Sequence, residues 1–292
     1  MRPVHVLGTL VRYLYLLPAV ALVVGLFLYS VGFTLAMSFT RWNGLSAPQF
    51  VGLSNYFRIF QDPAFMTSLT NTVIWVVAML VLPVGIALAA AVFLQNLRGQ
   101  GVFKNIFYLP YALSATTTGV IWSFLLSGTG LPTLFAALGW HALSQVNWLD
   151  TPPLNTYAMI IASTWQAMGT NMLLFLVGLQ QLDRGVVEAA ALDGASGMRM
   201  FRHITFPLLQ PITTVIVAIT LVVSFQTFNI IWVMTEGGPY GSSQTLAVLM
   251  YRDSFDFFRM GYGAAIAVLL AIVVLVLSGG YIRRNFQTGP SQ

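Results

Sequence analysis

The chain has 292 residues, 57% of them hydrophobic and only 7% charged. Soluble domains carry about 25% charged residues, so a water-facing globule of this length would lack polar surface, and the outer surface is expected to face lipid. The formal charge of +5 comes from twelve arginines and Lys104 scattered over the loops, which is not the single basic stripe of a nucleic-acid binder. Cysteine is absent, which excludes disulfides, thiolate metal sites and cysteine nucleophiles.

A membrane-spanning helix takes about 20 mostly apolar residues. Six stretches qualify: 13–37, 70–95, 106–127, 156–180, 209–234 and 261–282, and none contains Asp, Glu, Lys, Arg or His. The first follows Arg2 and Arg12 but outruns the apolar core of about 7–15 residues of a signal peptide and ends without an A-x-A site, so a retained span is expected. Pro110, Ser114 and Thr116–Thr118 interrupt the third. The outer loops 38–69, 128–155 and 235–260 are short and punctuated by turn residues, including Pro152, Pro153 and Gly237-Gly238-Pro239. The reading is an all-α polytopic membrane protein with six transmembrane helices. It has an N-terminal helix and first outer loop over 1–69, a core over 70–284 containing the 181–208 loop, and a tail over 285–292.

Six spans put both termini on one side. That side holds nine basic residues (Arg2, Arg12, Arg98, Lys104, Arg184, Arg199, Arg202, Arg283 and Arg284), against Arg41, Arg58, Arg252 and Arg259 on the other. The positive-inside rule therefore predicts cytoplasmic termini and a cytoplasmic 181–208 loop. Trp42, Trp75, Trp148 and Tyr281 sit near span ends, as interfacial anchors do. His5, His141 and His203 have no metal-ligand spacing and read as loop or interfacial residues. Asp253 and Asp256 read as a solvated loop or a docking face.

The 181–208 loop carries the most information. Val186–Leu192 is rich in helix formers, Asp193-Gly194 is a turn signal, and helical character resumes over Met198–His203. Pro207 falls where the fifth span is expected to begin, a place Pro tolerates. The expectation is two short helices with a sharp bend at Gly194. Alanines on the first helix let a partner's backbone come close, and Glu188, Arg199 and Arg202 offer it charges. An ordinary amphipathic connector fits the same composition.

The stretch resembles the EAA loop of binding-protein-dependent ABC importer permeases. Glu188-Ala189-Ala190 is followed after three residues by Gly194, and after nine more by Ile204-Thr205-Phe206-Pro207, with Phe206 where Leu is usual. Asp193, Ala195 and Phe201 also fall in place. Thr235-Glu-Gly-Gly-Pro239, Asn55-Tyr56 and Phe107-x-Leu-Pro110 resemble the first permease of carbohydrate importers, the group similar to the maltose, glycerol-phosphate and lactose-type systems. The resemblance implies the type I ABC importer permease fold, a second permease as heterodimer partner, an ATP-binding subunit dimer docked on Glu188, Ala189, Ala190, Asp193, Gly194, Ala195 and Pro207, and an extracytoplasmic solute-binding protein. It also implies alternating access in the inner membrane.

No Gly-x4-Gly-Lys-[Ser/Thr] is present, so the chain is expected to be a transporter subunit without catalysis or cofactor of its own, ATP-Mg belonging to the partner ATPase. The absence of ionisable groups inside the spans disfavours an autonomous secondary carrier. Substrate-pathway candidates are Trp165, Gln166, Thr170 and Asn171 in the fourth span and Gln226 and Asn229 in the fifth, since sugar hydroxyls need amide, hydroxyl and aromatic partners. The competing role for each is joining helices by hydrogen bonds, for a typical gain of about 0.6 kcal/mol. The cargo reads as a sugar or oligosaccharide, with glycerol phosphate or another polar solute as the alternative.

Overall fold

The computed structural model describes residues 15–95 and 97–287. Arg2, His5, Arg12 and the tail beyond 287 lie outside them. In chain order the elements are α1 (Tyr15–Ser38), a two-stranded antiparallel ribbon of β1 (Thr40–Arg41) and β2 (Gln49–Phe50), α2 (Ser54–Ile59), α3 (Pro63–Leu94) and α4 (Gln100–Tyr108). There follow α5 (Ala115–Leu126), α6 (Leu131–Ala137), α7 (His141–Ser144), α8 (Leu154–Gln180), α9 (Arg184–Leu192) and α10 (Gly197–Leu208). The last are α11 (Gln210–Phe225), α12 (Asn229–Thr235), α13 (Leu246–Tyr251) and α14 (Met260–Gln287).

Among the described residues, five stretches are long and apolar enough to cross a membrane: α1, α3, Ala115–Ala137, α8 and Met260–Arg284. The pair α10–α11, bent by 70°, supplies a sixth. The all-α, six-span expectation holds, but its boundaries move where polar side chains are satisfied within their own helix. α3 begins at Pro63 rather than 70, because Thr67 and Thr70 donate to the carbonyls of Pro63 and Met66 one turn back. The third span starts at Ala115 rather than 106. Leu113 is extended there, and Ser114 accepts from the Thr117 amide at 3.0 Å as the helix cap. Its far end runs into α6, and the following outer loop holds α7 as well as turns.

The fifth span is also displaced. Pro207 lies inside α10, three residues before α11 begins; Pro211 occupies the first turn of α11, where a missing N–H removes no helical bond. The span is not continuous to 234 either: α11 stops at Phe225 and α12 restarts at Asn229. Trp75 is no interfacial anchor, since it lies in the fourth turn of α3 and is fully buried.

The chain divides into two compact units, one comprising the residues up to Asp62 with Met250–Leu269, the other Pro63–Leu249 with the residues from Leu270. In the first, buried Asn55 donates from Nδ2 to the carbonyls of Ser38 and Thr40, each at 2.8 Å, and Tyr56 shares a 2.7 Å hydrogen bond with Ser38. These bonds fix the chain where α1 gives way to the ribbon. The Gly261 amide donates to the Trp42 carbonyl at 3.1 Å, and any Cβ at Gly261 would run into the Thr40 carbonyl. Asp253 is not solvated: it is 1% exposed and ion-paired with Arg259, while Asp256 pairs with Arg252 at 3.8 Å. Burial pushes the Asp253 carboxyl above the ordinary range, against the opposing pull of Arg259.

Two apolar clusters stand out among the described residues of the second unit. Trp75, Met159, Ile231 and Val248 centre one, joining α3, α8, α12 and α13; Ala87, Met172, Phe175 and Ile216 centre the other, joining α3, α8 and α11. Close approaches depend on glycine: a Cβ at Gly169 of α8 would strike the Phe107 carbonyl. The segment Thr235–Gln244 is held by amides at the mouths of two spans. Asn71 donates to the carbonyls of Ser242 and Gln244 at 2.8 and 3.0 Å, and Asn155 donates to the Gly238 carbonyl and Ser242 Oγ, each at 2.9 Å. Gly237, with φ of +82°, makes the turn that brings this backbone inward.

Candidate functional site

α9 begins at Asp183, whose carboxylate accepts from the Gly185 amide at 2.8 Å. It ends in a Schellman motif: the Ala195 amide donates to the Ala190 carbonyl at 2.9 Å and the Gly194 amide to the Ala191 carbonyl at 3.0 Å. Gly194 has φ of +85°, a left-handed conformation that only glycine adopts cheaply. The chain then reverses into α10, and His203 Nδ1 lies 3.1 Å from the Arg199 carbonyl.

Ala190 is the residue of α9 that is buried; Glu188, Ala189, Asp193 and Gly194 are exposed and Ala195 is half-buried. Leu192 is 90% exposed and Met198 75% exposed, flanking the turn on both sides. Among the described residues Glu188, Arg199 and Arg202 form no ion pair. Behind α9 lies a cavity of about 590 Å³ whose lining includes Gln95, Gln100, Gln180, Arg184, Glu188 and Thr205. The loop is thus a rigidly capped, outward-facing tip with apolar and charged groups left open.

The fourth and fifth spans carry the second group of candidates. Gln166 donates from Nε2 to the Leu113 carbonyl at 2.8 Å, tying α8 to the break before α5. Trp165 packs edge-on against Trp122 of α5 at 6.1 Å. Around this pair Thr118 Oγ1, Trp122 Nε1, Ser123 Oγ, Thr164 Oγ1 and Thr170 Oγ1 are buried without hydrogen-bond partners. Asn171 is buried; Gln226 and Asn229 are exposed at the two lips of the gap between α11 and α12. Ser224, by contrast, spends its hydroxyl on the Thr220 carbonyl at 2.6 Å.

Residues 81–289 match the family described as binding-protein-dependent transport system inner membrane component. The chain belongs to this family. The inner membrane component is 32% identical over 269 residues to the arabinooligosaccharides transport system permease protein AraP of Bacillus subtilis, covering 91% of this chain and 85% of that protein. It is 34% identical over 276 residues to the sn-glycerol-3-phosphate transport system permease protein UgpA of Yersinia pseudotuberculosis, covering 91% of both. It also shares its fold with a chain of a bacterial ABC transporter that imports the acidic polysaccharide alginate, with a TM-score of 0.85 and 21% identity over 98% of each chain.

The inner membrane component is therefore a multi-pass transporter permease subunit, and the ABC permease resemblance stands. Of its features, the bend at Gly194 is where the sequence places it. Leu192 and Met198 escaped the sequence reading; the signal for Leu192 was a large apolar residue directly before an Asp-Gly turn. The donors of α5 escaped as well, because Thr116–Thr118 registered only as interruptions of an apolar run.

Proposed function

We propose that this permease carries a sugar or oligosaccharide across the membrane, driven by a separate ATPase docked on α9 and α10, with the loop and both termini cytoplasmic. The observation that carries the coupling role is the capped turn at Gly194, which holds Leu192 and Met198 out from the chain next to unpaired Glu188, Arg199 and Arg202. ATP and Mg belong to that partner, since the chain has no phosphate-binding Gly-rich loop. A second permease and an extracytoplasmic binding protein complete the assembly, and the family's description supports the binding protein.

The cargo reading rests on the gap between α11 and α12 and on the orphan donors beside Trp165. Apolar membrane surroundings make unpaired polar groups expensive, so hydroxyl-rich cargo is a fitting partner for them. α3, α5, α8, α11 and α12 hold no Lys, Arg or His, which favours a neutral polyhydroxyl solute over glycerol phosphate. The test uses the assembled importer in vesicles with its binding protein and a series of neutral and phosphorylated sugars. Gln226→Ala and Thr170→Val are expected to weaken uptake of the preferred sugar about five-fold each, the worth of one hydrogen bond of about 1 kcal/mol. Unchanged affinity in both, with normal assembly, removes these residues from the pathway; preference for the phosphorylated series replaces the sugar reading with the anionic one.

A further inference from the structure

Within the first unit, a cavity of about 420 Å³ opens beside the β-ribbon and the first turn of α14. Its charged lining consists of Arg41, Arg58 and Arg259, and its aromatic lining of Trp42, Phe258 and Tyr262. Among the described residues no carboxylate lines it. Asp253 engages Arg259 and Asp62 accepts from the Tyr262 hydroxyl at 2.8 Å, and neither acid is part of the cavity wall. Arg58 lies over the Tyr262 ring at 5.3 Å from its centroid, with Arg259 at 5.6 Å from the same ring. That stacking holds two guanidinium groups near one another, against their repulsion. Among the described residues Arg41 and Arg58 form no ion pair, and Arg259 Nε is buried with no hydrogen-bond partner.

The cavity's neighbours identify its depth. It adjoins the ends of two spans, α1 finishing at Ser38 and Met260–Arg284 starting at Met260. Phe50, Phe57, Phe257 and Phe258 are exposed around it. Apolar phenylalanine surface exposed at the ends of spans fits contact with lipid, the amphipathic ring of Trp42 in the cavity wall suits the membrane–water interface, and a water-facing anion site would not expose four phenylalanines. Guanidinium groups grip phosphate oxygens through paired N–H donors.

We propose that this cavity is a binding site for the phosphodiester headgroup of a membrane phospholipid. Arg41 and Arg58 hold the phosphate, the amide of Gln49 and the ring of Trp42 meet the glycerol side, and the acyl chains run down beside α1 across the exposed phenylalanines. The site shares no residue with the coupling loop or with the candidate sugar pathway. Its role is to fix the end of α1 at a set height in the bilayer.

The test is lipid titration of the intact, detergent-purified importer, read by native mass spectrometry. The probes are dioleoyl phosphatidylglycerol, dioleoylglycerol with the same chains but no phosphate, and inorganic phosphate. The unaltered protein is expected to retain phosphatidylglycerol at least about ten-fold more tightly than dioleoylglycerol. The double substitution Arg41→Gln/Arg58→Gln is expected to lose about ten-fold in that affinity. Gln49→Glu, which leaves both arginines in place and adds a repelling charge to an exposed strand position, is expected to do the same, and the remote Arg98→Gln to change nothing. Equal retention of phosphatidylglycerol by the altered and unaltered proteins overturns the proposal. So does equal binding of dioleoylglycerol, and displacement of the lipid by inorganic phosphate would reassign the cavity to a soluble anion.

Discussion

Replacing Gly194 by larger residues separates the geometry of the coupling loop from its composition. An added Cβ at Gly194 meets nothing within 4 Å, so Gly194→Ala introduces no clash. The whole penalty is conformational, since φ of +85° is left-handed. For an L-residue that costs about 1–2 kcal/mol, which shrinks the population of the capped turn about 5–30-fold relative to its alternatives. The two Schellman bonds from Ala195 and Gly194 are then lost together, and the turn between the exposed Leu192 and Met198 loses its fixed geometry. The assay is uptake per ATP hydrolysed by the assembled importer, alongside the amount of complex recovered. Coupling is expected to fall in the order Gly, Asn, Ala, Val, because Asn tolerates the left-handed region and a β-branched residue does not, with recovery of complex nearly constant. Coupling that is equal in Ala, Val and Gly, or as poor in Asn as in Val, refutes the argument that backbone geometry at this position transmits the drive.

Two further outcomes follow from packing and burial. Gly169→Ala is expected to lower the melting temperature of the purified chain, because its Cβ meets the Phe107 carbonyl, and overpacking of this kind typically costs about 1–3 kcal/mol; Gly85→Ala, with open space around it, is the neutral comparison. Asp253 carries a raised carboxyl pKa caused first by burial. The native state therefore holds its proton to higher pH than the unfolded state does, and stability is lost as pH rises from the ordinary carboxylate range through the raised native value. Asp253→Asn is expected to flatten that part of a melting-temperature-against-pH curve, and an unaltered slope would exclude the buried carboxyl as its source.

The apolar stretches were legible because a bilayer demands length and hydrophobicity whatever the tertiary packing. The bend at Gly194 was legible because Asp-Gly after a helical run leaves few backbone solutions. The joints in the third and fifth spans were not. Gln226 and Asn229 registered as polar residues inside one helix, whereas the helix stops between them and Thr245 Oγ1 donates to the Thr227 carbonyl at 3.1 Å. The bond comes from a residue eighteen positions away, and no local pattern announces it. Asp253 was misjudged for the same reason: its partner Arg259 lies beyond a turn, and burial is a property of the assembled unit. Trp75 shows the limit of reading aromatics as anchors when helix length is misplaced by seven residues at its start.

The joints flanking α11 change what a push on this chain accomplishes. A single straight span would swing as one rod and sweep its far end through the bilayer. Here the path from Gly197 to Thr235 is a jointed linkage, with an elbow of 70° at Leu209 and a second articulation between Phe225 and Asn229. At about 1.5 Å per residue the twelve-residue arm α10 is about 18 Å long, so a tilt of about 10° displaces its end by about 3 Å. An elbow turns that sideways stroke into rotation of α11 about its own axis, while the second joint lets α12 stay clamped in its apolar cluster. Gln226 caps α11 at that second joint, where the turning segment meets the clamped one.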